Sequence, residues 1–426
     1  MPSQPPATSV LVIGGGIAGL ALSLSLSHHG IPSTVYEASP TPSTIGGAIH
    51  LPPSCLRALD HLGVLDRLRP RGAKIETMEI WSSPSRTRLG EFNFGKGTKT
   101  GGLRLRRREV HQTLLEAVRE AGVQVQHGKK ALEIAEVGEE MVVHFADGSE
   151  ARGALVVGAD GIHSTIRKGW VDPERRAEYT GVVGAYGYAR IEPSRLHFCR
   201  EGGGTAMNIS RSGSLLTSFC SGDDKDEIYV AAVMGFPDIE KVSKEVNGWR
   251  VRGEDEEAVK REVDRRFGES RIETVREVVS RVEEWFLFPV FALGMEGTWW
   301  RGRAILVGDA AHAMPPQGQS VGICLDDVIL LSRLLAKHSS SSASSSPSDS
   351  PSWTSADLSA AFSRYDTLRR PIVDKAHKKA IQQWENVKDI SWLAFKFREW
   401  FVWLMLLTMG GMFDEGEGYD ILKEEV

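Results

Sequence analysis

Residues 9–37 read SVLVIGGGIAGLALSLSLSHHGIPSTVYE, and the rest of the chain is best understood outward from them. Ser9–Ile13 is a short β-rich apolar run, Ile17, Leu20, Ala21 and Leu24 recur at helical spacing, and Thr34–Tyr36 is a second strand-like run. Strand, turn, helix and strand in that order form the front half of a βαβ unit. The turn is Gly14-Gly15-Gly16-Ile17-Ala18-Gly19, a G-x-G-x-x-G that follows a strand and opens a helix, with Glu37 closing the second strand. The first glycine makes the tight turn. Gly16 lets a pyrophosphate approach the backbone, Gly19 lets helix and strand pack closely, and the helix N-terminus faces the phosphate charge. Glu37 is placed to accept hydrogen bonds from ribose hydroxyls. The pattern predicts a dinucleotide site but does not distinguish FAD from NAD.

Two later segments return to the same texture. Ala154–Val157 and Ala304–Val307 are buried-strand runs, each ending in Gly and followed by Asp, within LVVGADGIHSTIR (155–167) and RAILVGDAAHAMPPQGQSVG (303–322). Both sequences place an Asp, Asp160 or Asp309, at the carboxyl edge of a parallel sheet, where ligands lie in open α/β folds. Either one alone reads as a turn former or helix cap. Between them the pattern changes: Tyr179–Arg190, Gly213–Cys220 and Glu227–Met234 read as antiparallel strands, a charged helix lies near Asp255–Phe267, and Trp285–Leu293 returns as a strand. Residues 176–284, with 76–99, are therefore expected to form a sheet-rich domain inserted into the first. The run 338–352, HSSSSASSSPSDSPS, is expected to be a mobile Ser-rich loop between helices.

Composition bounds the function. Glycine, at 44 of 426 residues, exceeds the usual ~7%, while the 19 prolines are ordinary, so the surplus is not collagen-like. A net charge of −5 from 51 basic and 56 acidic residues provides no general field for nucleic acid. Cys55, Cys199, Cys220 and Cys324 have neither zinc-ligand nor disulfide spacing, so no metal site is expected. This usage, with an N-terminus lacking signal-peptide character, points to a reducing, cytoplasmic setting. The apolar stretch Trp400–Phe413 is shorter than the ~18 residues of a membrane span and reads as a buried or docking helix, with an interfacial membrane anchor as the alternative.

The ordered motifs resemble those of the class A FAD-dependent monooxygenases, the aromatic-hydroxylase family that includes salicylate and para-hydroxybenzoate hydroxylases, and more closely its fungal secondary-metabolism branch. The glycine fingerprint with Glu37, Asp160-Gly161 and Gly308-Asp309 match in order. Arg107-x-x-Val110-x-x-x-Leu114 resembles the family segment whose arginine contacts the flavin, and IGGAIHLPPSCLRALDHLG (45–63) resembles the stretch beside the flavin ring. The resemblance spans residues 9 to about 375. It implies an α/β fold with a Rossmann-like FAD-binding domain of the GR2 type, an inserted substrate domain and C-terminal helices. The implied division assigns 1–75, 100–175 and 285–375 to the FAD-binding domain, 76–99 and 176–284 to the substrate domain, and 376–426 to a C-terminal helical region. The implied cofactor contacts are Gly14, Gly15, Gly16, Gly19, Glu37, Gly47, Ala48, Arg107, Asp160, Asp309, Gly318, Val321 and Gly322. Asp309 would meet a ribityl hydroxyl, and a helix starting near Gln319 would aim its dipole at the flavin pyrimidine edge. Ala48, Ser54 and Ser320 depart from common family residues, and Gly187 stands near the place where several members carry a substrate-holding arginine.

By the same resemblance, NADPH or NADH reduces FAD, O₂ is captured as a flavin C4a-hydroperoxide, and an electron-rich aromatic ring is hydroxylated. Exclusion of water preserves that oxidant. A phenolic or polyketide-like small aromatic substrate would be activated by a base with a pKa near working pH. Candidates in the inserted domain are Tyr186, Tyr188 and His197, with Arg190 as an anion partner; strand packing is the competing reading for each. His50 and His312 lie in flavin-contacting segments, and His312 is expected to hold its turn by hydrogen bonding. Two other readings stay open. One is epoxidation or oxidative rearrangement of an alkene or indole with the same cofactor. The other is a non-catalytic flavin-binding interaction protein whose C-terminal aromatic helix is a docking surface.

Overall fold

Val10–Ile13 and Leu155–Gly158 are fully buried parallel neighbours, with Val10 opposite Leu155 and Ile13 opposite Gly158. Apolar runs without alternation suit strands covered on both faces. In the computed structural model, which describes residues 9–42, 46–93, 101–196, 204–236, 254–316, 318, 320–339, 352–385, 389–409 and 419–426, they form the centre of a six-stranded sheet. Its order is Trp300–Arg301, Ala304–Leu306, Leu155–Gly158, Val10–Ile13, Ser33–Glu37, Gln124–His127. Only the Trp300–Arg301 edge runs antiparallel to its neighbour. Helix Ile17–His28 packs against helices Arg107–Glu120 and Ser320–Lys337, and Ser25 and Ser332 share a buried hydroxyl contact of 2.6 Å. The chain leaves Val10–Ile13 for a strand on one side and later fills the other. The carboxyl ends on either side of this switch point are where such sheets bind ligands.

The second body is a seven-stranded sheet ordered Phe286–Ala292, Glu178–Arg190, Glu227–Gly235, Gly213–Phe219, Thr205–Ser210, Thr77–Ser82, Thr87–Asn93. The Phe286–Ala292 strand departs from the expected boundary at 284. It pairs antiparallel with Glu178–Arg190, with Gly184 opposite Phe288, because that is the edge left open beside the sheet's longest strand. Side chains alternate across the sheet. Val183, Ala185, Val230 and Ala232 meet Val275, Val278 and Phe267 of the covering helical segments, while Tyr186, Tyr188, Tyr229, Phe286 and Phe288 face the other way. Gly187 lies on the helix side, where a Cβ would come 2.3 Å from Val282. A side chain there would point away from the aromatic face, so this position holds no substrate anchor.

A three-stranded sheet, Ala48–Leu51, Gly102–Arg106 and Ala73–Ile75, joins the two bodies. Leu103 and Leu105 enter the main core, which leaves Arg104 and Arg106 on the opposite face. The C-terminal helix Trp392–Met409 lies on strand Thr87–Asn93. Phe395, Glu399 and Leu406 are its buried side, and Glu399 accepts hydrogen bonds from Ser82 and Ser85. Trp392, Leu393, Phe397, Trp400, Phe401 and Leu407 are exposed, so the helix is docked on one side only. Among the described residues, no helix is long and apolar enough to cross a membrane. Most of the Ser-rich 338–352 run, the end of the apolar stretch beyond Met409, and Gln319 lie outside the described residues.

Candidate active site

The glycine turn divides its work by geometry. Gly14 has φ +111, and a Cβ on it would lie 2.4 Å from Ala159 O. On Gly19 a Cβ would lie 1.9 Å from Gly14 O, so helix and turn touch backbone to backbone. On Gly16 it would meet nothing within 4 Å, leaving open space at the start of helix Ile17–His28. Gly15 N–H donates to Glu37 Oε2 at 2.6 Å and Ser39 N–H donates to Oε1 at 2.7 Å. These bonds fix the carboxylate beside the turn while leaving lone pairs to accept further hydrogen bonds. His111 Nε2 lies 2.8 Å from Gly15 O. Burial lowers the pKa of His111, so the neutral ring ties helix Arg107–Glu120 to the turn.

The two strand-end aspartates flank this turn. Asp160 Oδ2 accepts from Thr165 N–H at 2.6 Å, while its buried Oδ1 has no hydrogen-bond partner. Burial raises its pKa against those bonds. Asp309 follows Gly308 (φ +57) and is solvent-exposed, although protein surrounds it closely enough to raise its carboxyl pKa. His312 and Arg107 oppose that shift, and Asp327 adds to it. Asp309 is thus an exposed carboxylate with His312, Arg107 and Asp327 as its charged neighbours.

Beneath Asp309 lies a fully buried network. Asp327 Oδ2 is 2.7 Å from His312 Nε2 and accepts from Gly308 N–H at 3.1 Å; Asp327 Oδ1 accepts from Arg369 Nε at 2.8 Å. Burial favours the neutral Asp327 carboxyl, but His312 and Arg369 outweigh it and hold the pKa below the ordinary value. The network sets the turn that presents Asp309.

Across the cleft, Arg107 opens helix Arg107–Glu120. A Cβ on Gly46 would lie 2.9 Å from Arg107 Cδ, and one on Gly47 would lie 2.6 Å from Tyr229 Oη. Ala48 packs into the cluster of Tyr186, Tyr188, Tyr229, Phe286 and Phe288. Tyr186 is hydrogen-bonded to the Gly46 backbone and stacks on Phe286 at a centroid distance of 5.0 Å. Gly318 (φ +80) lies against His50, whose Cβ would be 3.9 Å from a Cβ added to it. Gly322 lies within helix Ser320–Lys337 against Cys55, and Val321 packs on the main core.

Among the proposed catalytic side chains, Tyr186 and Tyr188 reach this cleft face. Burial pushes Tyr186 up to about 12 and raises Tyr188 further. They are therefore neutral hydrogen-bonding groups, and the expected role as bases does not fit. Arg190 requires a correction of position: its side chain is 70% exposed and donates to Asp224 at 2.6 Å, outside the cleft. It ends the long strand at the surface, where water and a carboxylate satisfy it. His197 lies outside the described residues.

The family described as FAD binding domain matches residues 7–354. The chain belongs to this family. It is 30% identical over 335 residues to 2-heptyl-3-hydroxy-4(1H)-quinolone synthase of Pseudomonas aeruginosa, covering 76% of this chain and 80% of that protein. It is 29% identical over 384 residues to a 3-amino-4-hydroxybenzoate 2-monooxygenase of Streptomyces platensis, covering 87% and 86%. A salicylate hydroxylase substrate complex shares the fold at TM-score 0.75 and 20% identity, covering 98% of this chain and 97% of that one. The protein is thus an FAD-dependent monooxygenase that uses NADPH or NADH as co-substrate. Its own geometry fits FAD: the open space at Gly16 suits a phosphate, and the unpartnered Asp160 Oδ1 and the exposed Asp309 can accept from hydroxyls.

His111, Asp327, Arg369, Tyr229 and Arg104 went unread in the sequence. Asp326-Asp327 inside the apolar helix GICLDDVILLSRLL (322–335) was a usable signal, since adjacent acids there call for a buried partner. Nothing local marks His111 or Tyr229, which take their roles from distant backbone.

Proposed function

We propose that this monooxygenase hydroxylates an electron-rich phenolic or polyketide-like aromatic ring, a secondary metabolite, beside the junction where Gly46–Leu51 packs on the aromatic cluster of Tyr186, Tyr188 and Tyr229. One observation carries the reading: five aromatic side chains of the inserted sheet converge on Ala48, in the segment that opposes Gly318 and the Asp309 turn. A flat ring stacks on such a face, and the phenol hydroxyls orient its oxygens. Bound FAD supplies hydride acceptance from NAD(P)H and activation of O₂. The balance is NAD(P)H, H⁺, O₂ and Ar–H giving NAD(P)⁺, H₂O and Ar–OH.

Gly16 and the N-terminus of Ile17–His28 would receive the pyrophosphate, Glu37 the adenosine ribose, and Asp160, Asp309 and Arg107 the remaining polar edge of the cofactor. The aromatic wall keeps water from the reacting centre. Tyr186 and Tyr188, protonated at neutral pH, donate to substrate oxygen rather than remove its proton. The relatives' names, a hydroxyquinolone synthase and an aminohydroxybenzoate monooxygenase, support a ring bearing oxygen. In the test, FAD-loaded protein consumes NADPH or NADH with each member of a phenol and hydroxyquinolone panel. Stimulated oxidation with a hydroxylated product is expected; stimulated oxidation yielding only H₂O₂ for every compound rejects hydroxylation.

A further inference from the structure

Arg104 is 5% exposed, and its Nε and Nη1 have no hydrogen-bond partner. A buried cation without an acceptor is among the costliest arrangements in a folded chain, and structures remove it by pairing the charge. Here no carboxylate of the described residues does so. Arg106, two residues on along the same face, is paired to Glu227 and lies 4.4 Å over the Tyr188 ring, so that carboxylate is committed elsewhere. The groups that face Arg104 are His50, from the strand paired with it, and Tyr229 and Cys220, from the inserted sheet. All three are uncharged at neutral pH: burial pushes His50 down to about 3 and Cys220 up to about 12, and raises Tyr229 as well. Tyr188 Oη, across from Tyr229 at a ring distance of 5.6 Å, is also buried without a partner.

The location connects this charge to the cleft. Arg104 stands opposite His50 in the strand pairing, and His50 lies behind Gly318. Tyr229, its other neighbour, rests on Gly47. A guanidinium with two unpartnered nitrogens therefore sits at the junction of the flavin-side segment and the aromatic cluster, with the Tyr188 phenol on the far side of Tyr229.

We propose that Arg104 is a specificity-determining anchor that takes an anionic oxygen of the substrate, a phenolate, enolate or carboxylate, with Tyr188 Oη as a second donor. This rests on the reading of the cleft as the site of an aromatic hydroxylase and names the substrate class it admits. It also explains how the site manages without a tyrosine base. A buried positive charge favours the ionised form of a phenol, whose proton leaves to solvent on binding, and the resulting phenolate ring is the better nucleophile. The guanidinium also replaces the arginine that Gly187 cannot supply from the far side of the sheet.

The test uses FAD-loaded full-length protein and two matched probe pairs: 4-hydroxyquinolin-2-one with its 4-methyl ether, and 6-hydroxynicotinate with its carboxamide. Binding is read as perturbation of the flavin absorption spectrum, and FAD content is measured in every variant. In the wild type, at least one acidic probe is expected to bind about tenfold or more tightly than its neutral mate, the scale of one charge-assisted hydrogen bond. Arg104→Gln abolishes that preference, and Arg104→Lys restores part of it. A structural role alone would lower both affinities and leave their ratio unchanged. No preference in the wild type, including no binding of any probe, overturns the proposal, as does a preference that survives in Arg104→Gln. The same samples are mixed anaerobically with NADPH and NADH. Failure to reduce FAD in the wild type would sink the monooxygenase reading itself, whereas normal reduction without anion preference sinks the Arg104 anchor alone.

Discussion

A methyl group added at Gly16 meets no atom within 4 Å, whereas one added at Gly19 falls 1.9 Å from Gly14 O. The two glycines are alike in sequence and opposite in physical role. Gly16→Ala is expected to leave the melting temperature of the apoprotein within about 2 °C of wild type, because its φ of −74 suits any residue. It should weaken FAD binding at least tenfold, since the methyl occupies the phosphate space. Gly19→Ala should cost more than about 3 kcal/mol by forcing backbone apart. Calorimetry of apoprotein with FAD titration separates the pair, and equal effects would show that Gly16 is not the cradle. Asp309→Ala, at an exposed position in the cleft, should weaken FAD binding about 10- to 100-fold, as for the loss of hydrogen bonds to a charged group, with the fold retained. Unchanged affinity in the same titration would remove Asp309 from the site.

At the level of elements, the helix pair Ser320–Lys337 and Ser355–Glu385 is joined under the cleft by Asp327 and Arg369, both fully buried. Arg369→Met strands a buried carboxylate and should cost about 3–5 kcal/mol in chemical denaturation. Next to it, burial and Asp327 raise Asp326 to about 7 despite Arg369. A carboxyl whose folded pKa exceeds its unfolded value gives stability that is complete below about pH 4 and lost as pH rises through about 7. Asp326→Asn should therefore raise the melting temperature at pH 8 relative to wild type and change it little at pH 4. The opposite sign would place Asp326 in a stabilising ion pair.

The elements also mark how far the sequence could be read. The strand-turn-helix-strand at residues 9–37 was legible because its glycines and apolar spacing act locally, and the strands ending before Asp160 and Asp309 were legible for the same reason. The Phe286–Ala292 strand was recognised as a strand but left outside the inserted domain, because pairing with Glu178–Arg190 is a long-range choice that no local pattern encodes. Tyr186 and Tyr188 were candidates from their place in the inserted domain, yet their raised pKa values come from burial, Tyr186 packing against Phe286 and Phe288 and Tyr188 against Tyr186 and Tyr229. Arg190 shares their strand and alternation but ends at the surface. Arg104 drew no notice because an alternating Arg in GLRLRR (102–107) reads as a solvent-facing residue until the inserted sheet covers it.

Across the whole molecule, strand Gly102–Arg106 links the two bodies: Leu103 and Leu105 enter the core of the six-stranded sheet, while Arg106 pairs with Glu227 of the seven-stranded one. The outer side of the C-terminal helix stands apart from this machinery. Trp400→Gln with Leu407→Gln should keep the melting temperature within about 2 °C and lower the binding of a hydrophobic dye, since both side chains are exposed. A large destabilisation would mean that this face is covered in solution. The reaction proposed for this fold is oxygenation of an aromatic ring beside the aromatic cluster of the inserted sheet. Its most direct test is turnover of FAD-loaded protein under ¹⁸O₂ with NADPH or NADH and the acidic aromatic probe that perturbs the flavin spectrum, followed by mass spectrometry. The predicted result is a product carrying one ¹⁸O atom from the gas; consumption of the nicotinamide with the probe recovered unlabelled and unchanged would contradict it.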